Sequence, residues 1–145
     1  MEKIVIYTDG GARGNPGPAA IGVVIQNEKG HTLKRYGEAI GEKTNNEAEY
    51  QAVIFALKKL KLLFGKEKAK AMRVEVRMDS ELAVKQLSGR YKIQEETLQK
   101  HFVQIHNLLI DMGGNVSFTH VPREQNRAAD RLVNEALDKQ QGSLL

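Results

Sequence analysis

The chain has 145 residues, a net charge of +4 and no cysteine. That length suits one domain, spanning 1–145, which buries about two thirds of the surface its unfolded chain exposes. The missing thiols exclude disulfide scaffolds and thiolate metal sites, and no apolar run approaches the ~20 residues of a membrane span, so a cytoplasmic, membrane-free monomer is expected.

The first apolar run, Ile4 to Thr8, predicts a strand that ends at Asp9 and opens into a glycine-rich turn from Gly10 to Gly17. A hairpin follows: Ile21 to Ile25, the turn Asn27-Glu28-Lys29-Gly30 with Gly30 suited to positive φ, then Thr32 to Tyr36. From Asn46 to about Phe64, Val53, Ala56, Leu57, Leu60 and Phe64 recur at helical spacing, and Gly65 is a natural stop. Next come a strand from Val74 to Met78, a short helix from Ser80 to Leu87 and a helix from about Gln94 to Asp111. The chain closes with a strand from Val116 to Thr119 and a helix from about Asn126 to Asp138. Lys58, Lys59, Lys61, Lys66, Lys68, Lys70 and Arg73 gather near the end of the long helix, opposed mainly by Glu67. A solvated helix end accounts for most such clusters, so this one supports a polyanionic partner without establishing it.

The order βββαβααβα joins an antiparallel hairpin section to α/β crossovers. It implies an α/β domain with a mixed five-stranded sheet and helices on both faces. Architecture of that kind does not by itself give an activity.

Four acids give more. Asp9 and Asp79 each end a predicted strand, and ligands of open α/β sheets gather beyond strand carboxyl ends. On the long helix Glu47 and Glu49 lie about 200° apart. Glu49 heads the apolar stripe of Val53, Ala56 and Leu60, whereas Glu47 points to solvent. Asp130 heads the stripe of Val133 and Leu137 on the last helix. Each acid also has a plain structural role open to it: turn chemistry for Asp9, amide bonding in a first helical turn for Glu49 or Asp130, capping by Asp79 or its neighbour Ser80. Gathered at one edge, the four oppose joint ionisation, which a divalent cation relieves. An all-oxygen ligand set selects a hard ion, Mg²⁺ first with Mn²⁺ as substitute. Four carboxylates suffice for two ions, an arrangement suited to phosphodiester hydrolysis.

The segments Tyr7-Thr8-Asp9-Gly10-Gly11, Asn15-Pro16-Gly17, Thr44-Asn45-Asn46-Glu47-Ala48-Glu49, Asp79-Ser80 and Asn126-Arg127-Ala128-Ala129-Asp130 together resemble ribonuclease H of the type 1 class, along essentially the whole chain. The resemblance implies a ribonuclease H-like sheet. It also implies an endonuclease that uses Mg²⁺ to cut the RNA strand of an RNA/DNA hybrid, leaving 3′-hydroxyl and 5′-phosphate ends. Asp9, Glu49, Asp79 and Asp130 match the family's metal ligands. By the same matching, Gly11, Ala12, Asn15, Asn45 and Asn46 read the hybrid's minor groove and RNA 2′-hydroxyls, and Thr44 contacts a DNA phosphate.

The chain departs from the family pattern in three places. Glu42 stands where an arginine often precedes the threonine by two residues, with Lys43 beside it. The segment Ser88 to Ile93 is short where many members carry a basic loop, leaving Arg90, Tyr91 and Lys92, and an isolated Tyr91 more often anchors its loop to the core. An auxiliary histidine before the last aspartate has two counterparts here, His120 and Arg123; Arg123 is slightly favoured and would steer phosphate rather than carry a proton. A proofreading-type exonuclease is disfavoured by Gly10-Gly11 after Asp9. A mononucleotide-binding protein is disfavoured by the absence of a Gly-Lys-Ser/Thr ending. The competing reading from another class is a catalytically silent hybrid-binding module, which would keep the asparagines and lysines and lose an acid.

Overall fold

A computed structural model describes residues 2–143. Five strands, β1 (Lys3–Ala12), β2 (Gly17–Asn27), β3 (Thr32–Lys43), β4 (Arg73–Met78) and β5 (Val116–His120), form one mixed sheet in the order β3-β2-β1-β4-β5. The β1, β2 and β3 pairings are antiparallel, and those of β1 with β4 and β4 with β5 are parallel. The helices are α1 (Asn45–Phe64), α2 (Lys66–Lys70), α3 (Glu81–Leu87), α4 (Glu96–Asp111) and α5 (Arg127–Ser143), with a single 3₁₀ turn, Arg123–Gln125, before the last.

Strand alternation assigns the two faces. Ile21, Val23 and Ile25 of β2 join Ile4 and Ile6 of β1 in the main core, against Val53, Ala56, Leu57 and Leu60 of α1. Ala20, one register step away, faces the other side and packs with Val133 and Leu137 of α5. β2 is thus buried on both faces, and its sequence is a continuous apolar run with no polar alternation.

Several boundaries differ from the sequence expectation. β1 does not stop at Asp9; it continues through Gly10 and Gly11 to Ala12, paired with Ala19, and the turn narrows to residues 13–16. Gly10 and Gly22 serve packing. A Cβ on Gly10 would run into the backbone carbonyl of Ala48 in the first turns of α1, and one on Gly22 would meet the Ala129 carbonyl of α5. Both helices therefore press against the sheet at backbone distance, which only glycine allows. β3 runs on to Lys43 as a largely exposed edge strand whose polar residues carry no burial signal, so Glu42 and Lys43 pair with Pro18 and Gly17. The basic segment after Gly65 contains the short α2, and α5 continues past Asp138.

Candidate active site

β1 pairs with β4 only as far as Tyr7 and Arg77, while its pairing with β2 extends to Ala12. Where β4 stops, β1 continues and leaves a notch. Asp9 stands in it, two residues past the last parallel pair, and Asp79, the residue after β4, is likewise two residues past that pair. The site therefore lies at the carboxyl end of the parallel section, although Asp9 is inside its strand.

Capping decides which polar side chains remain available. At the start of α1, Thr44 Oγ1 accepts from Glu47 N at 3.1 Å and Glu47 Oε1 accepts from Thr44 N at 3.3 Å, a complete capping box. Glu47, expected to face solvent, is the capping acid, and Glu49 is left buried and free of that duty. At α3, Ser80 Oγ accepts from Ala83 N at 3.2 Å, so Ser80 caps and Asp79 is not consumed.

One carboxylate oxygen from each of Asp9, Glu49 and Asp79 lies within 4.8 Å of the other two. Asp130 sits on the exposed first turn of α5, outside that tight trio, but lines the same cavity and raises the pKa of Asp9 through its charge. Burial first, then the charges of Asp79 and Asp130, push the Asp9 carboxyl up to about 7. Burial and the neighbouring Asp9 and Asp79 charges also hold Glu49 well above the ordinary carboxyl range. Its Oε2 is buried without a hydrogen-bond partner. A crowded, partly desolvated set of oxygen donors with an orphaned buried oxygen fits a hard divalent cation.

The surrounding cavity, about 710 Å³, places the other predicted residues. Gly11, Ala12, Asn45 and Asn46 line it, as does Arg123. Asn15 does not line it; its Oδ1 accepts from Asn45 N at 3.0 Å, while Asn45 Oδ1 accepts from Ala12 N at 2.9 Å. These two bonds lock the β1–β2 turn to the head of α1. Thr44 is occupied as a cap through its lone pairs, which leaves its hydroxyl proton to donate. His120 ends β5 and lines a separate depression with Glu81, Lys85 and Arg90. Tyr91 is half exposed and is not anchored to the core; Lys85 Nζ lies 5.0 Å from its ring centroid.

Residues 7–136 match the protein family described as reverse transcriptase-like. The solved structure of LC11-RNase H1, isolated from compost by a metagenomic approach, superposes with a TM-score of 0.92 at 55% identity, over 97% of this chain and 99% of that one. The chain belongs to the type 1 ribonuclease H family. LC11-RNase H1 has also been solved in complex with RNA/DNA hybrid, and that structure matches at 54% identity with a TM-score of 0.90, over 95% of this chain and 99% of that one. Ribonuclease HI of Halobacterium salinarum is 42% identical over 136 residues, 94% of this chain. A bifunctional protein of Mycobacterium tuberculosis is 42% identical over 137 residues, also 94% of this chain. The chain spans 65% and 36% of these two relatives' lengths.

Three polar residues to which the sequence assigns no role stand in the site or against it. Arg127 and Asn134 line the cavity from α5, one turn to either side of Asp130 or nearly so. Helical spacing from Asp130 would have pointed to Asn134, whose Nδ2 donates to the Asp130 carbonyl at 3.1 Å. The third is Asn126, buried between Thr8 and Asp79, which carried no hydropathy or charge signal of its own.

Proposed function

We propose that this domain, folding as one unit, is an endonuclease that hydrolyses the RNA strand of RNA/DNA hybrids, leaving 3′-hydroxyl and 5′-phosphate ends. The observation that carries the reading is the carboxylate trio of Asp9, Glu49 and Asp79, with Asp130 at its rim, in a cavity also walled by Gly11, Ala12, Asn45 and Asn46. Asp9, Glu49, Asp79 and Asp130 would hold two Mg²⁺ ions, with Mn²⁺ as substitute. When bound, such ions supply a nucleophilic water near neutral pH and offset charge on the phosphodiester.

The chain's own residues do the rest. Without a cation the acids repel a further anion, so the scissile phosphate settles only when their charge is balanced. Gly11 and Ala12 offer a strand edge with little side-chain bulk, which lets backbone approach the sugar edge. The amides of Asn45 and Asn46 provide both donors and acceptors toward a 2′-hydroxyl, the group that separates RNA from DNA. Asn15 acts behind them by fixing Asn45. The Thr44 hydroxyl donates to a DNA-strand phosphate, with Lys43 next to it at the end of β3 taking the place of the family's arginine. Arg123 on the 3₁₀ turn steers phosphate at the mouth, and His120, in its own depression, stands aside as the alternative auxiliary group. The domain acts as a monomer.

The test is strand selectivity. With Mg²⁺ present, the RNA of a labelled hybrid should be cut, while single-stranded RNA, double-stranded RNA and double-stranded DNA stay intact. Cleavage of single-stranded RNA at the hybrid's rate would contradict the 2′-hydroxyl and DNA-strand reading together.

A further inference from the structure

Asn126 is 1% exposed. Its Nδ2 donates to the Thr8 carbonyl at 2.9 Å and to Asp79 Oδ2 at 3.3 Å. Its own carbonyl accepts from Asp130 N at 3.1 Å. One residue thus bonds to the backbone just before Asp9, to the carboxylate of Asp79, and to the backbone of Asp130. These three acids come from β1, from the end of β4 and from α5, and no other residue of the site bonds to all three places. The orientation of the amide is fixed by chemistry: Thr8 O and Asp79 Oδ2 are both acceptors, so only the NH₂ end can face them. Oδ1 is buried without a protein partner.

We propose that Asn126 is a positioning residue of the metal centre. By occupying Asp79 Oδ2 with a fixed N–H it reserves the other Asp79 oxygen for the cation, and by tying Thr8 to the head of α5 it sets the spacing between Asp9 and Asp130. Residues that orient metal ligands in this way commonly affect metal affinity or activity by about 10–100-fold when removed. The proposal rests on the metal-dependent reading of the site, but its test does not need cleavage.

The measurement is Mn²⁺ binding by calorimetry, without nucleic acid, to the parent protein, Asn126→Ala, Asn126→Ser and Leu108→Ala. Leu108 is buried in α4 outside the cavity, so that variant controls for lost stability. Asn126→Ala should bind Mn²⁺ at least roughly tenfold more weakly, Asn126→Ser should fall between it and the parent, and Leu108→Ala should match the parent. Where cleavage is then followed, kcat should fall with KM for the hybrid little changed. Parent-like Mn²⁺ affinity in Asn126→Ala, or an equal loss in Leu108→Ala, would overturn the proposal. Should neither Asn126 variant fold, the parent decides: its Asn126 side-chain NH₂ resonance must shift with Mg²⁺ at the protein's own binding midpoint, and a static resonance refutes the role. A parent that binds Mn²⁺ and fails to cut hybrids would strike the proposed function and leave the Asn126 comparison intact.

Discussion

Asp9 shows how one residue's environment writes itself into stability. Its carboxyl is held up to about 7 by burial and by the charges of Asp79 and Asp130, against an unfolded value near 3.8. A raised acid keeps its proton in the folded state over a range where the unfolded chain has released it. Its favourable contribution is complete below about pH 4 and is lost as pH climbs through about 7. Metal-free protein should therefore lose stability between about pH 5 and pH 8, and Asp9→Asn should flatten that slope. At about pH 8 the variant should exceed the parent by roughly 2–4 kcal/mol, since each pKa unit is worth about 1.4 kcal/mol. Denaturant unfolding at the two pH values checks this, and an unchanged slope would show that another group sets it.

At the scale of elements, the two helices that deliver Glu49 and Asp130 depend on missing side chains. Gly10→Ala should be destabilising by about 1–3 kcal/mol or more, because its Cβ meets the rigid Ala48 backbone. Gly11→Ala, one residue on, meets only Val133 Cγ1 at 3.6 Å, an ordinary contact, and should stay within about 0.5 kcal/mol of the parent. Thermal melts of the pair separate the two effects, and equal melting would remove the close-packing account. These same glycines show where the sequence was legible and where it was not. Glu49 could be placed because a 100° helical step puts it on the apolar stripe and Glu47 off it. Strand β2 could be placed because it is an apolar run, and β4 because Val74, Val76 and Met78 alternate with Glu75 and Arg77. Gly10-Gly11 reads as a turn in sequence, since glycine's usual role is backbone freedom, whereas Gly10 serves a backbone approach made by a helix more than thirty residues away. The far half of β3 was missed because an exposed edge strand has no burial to betray it. Asn126 was missed because its partners, Thr8 and Asp79, are far from it along the chain and only the fold brings them together.

For the molecule as a whole, the sheet gathers carboxylates that repel one another, and α1, α5 and the β-strands must spend part of their packing to hold them. Binding a cation to the folded state alone shifts that balance by mass action. Mg²⁺ at about 100 times its dissociation constant should stabilise the protein by about 2.7 kcal/mol, a rise of roughly 5–10 °C in Tm for a domain of this size. The rise should be larger at about pH 8 than at pH 6, because protons compete with the metal for Asp9 and Glu49. Melting with and without Mg²⁺ at both pH values tests this, and indifference to Mg²⁺ would mean that the free site is too weak to act on folding.

On the proposed function, this carboxylate cluster performs the cleavage and the rest of the cavity holds the hybrid. Asp79→Asn tests it most directly, with cleavage of a labelled RNA/DNA hybrid under Mg²⁺ measured beside hybrid binding. Asp79 is partly exposed, is not the cap of α3 and keeps its shape as asparagine, so folding and hybrid binding should persist while cleavage falls by at least about a hundredfold. Cleavage at the parent rate would contradict the account, and hybrid binding without cleavage in the parent itself would make the domain a silent hybrid-binding module.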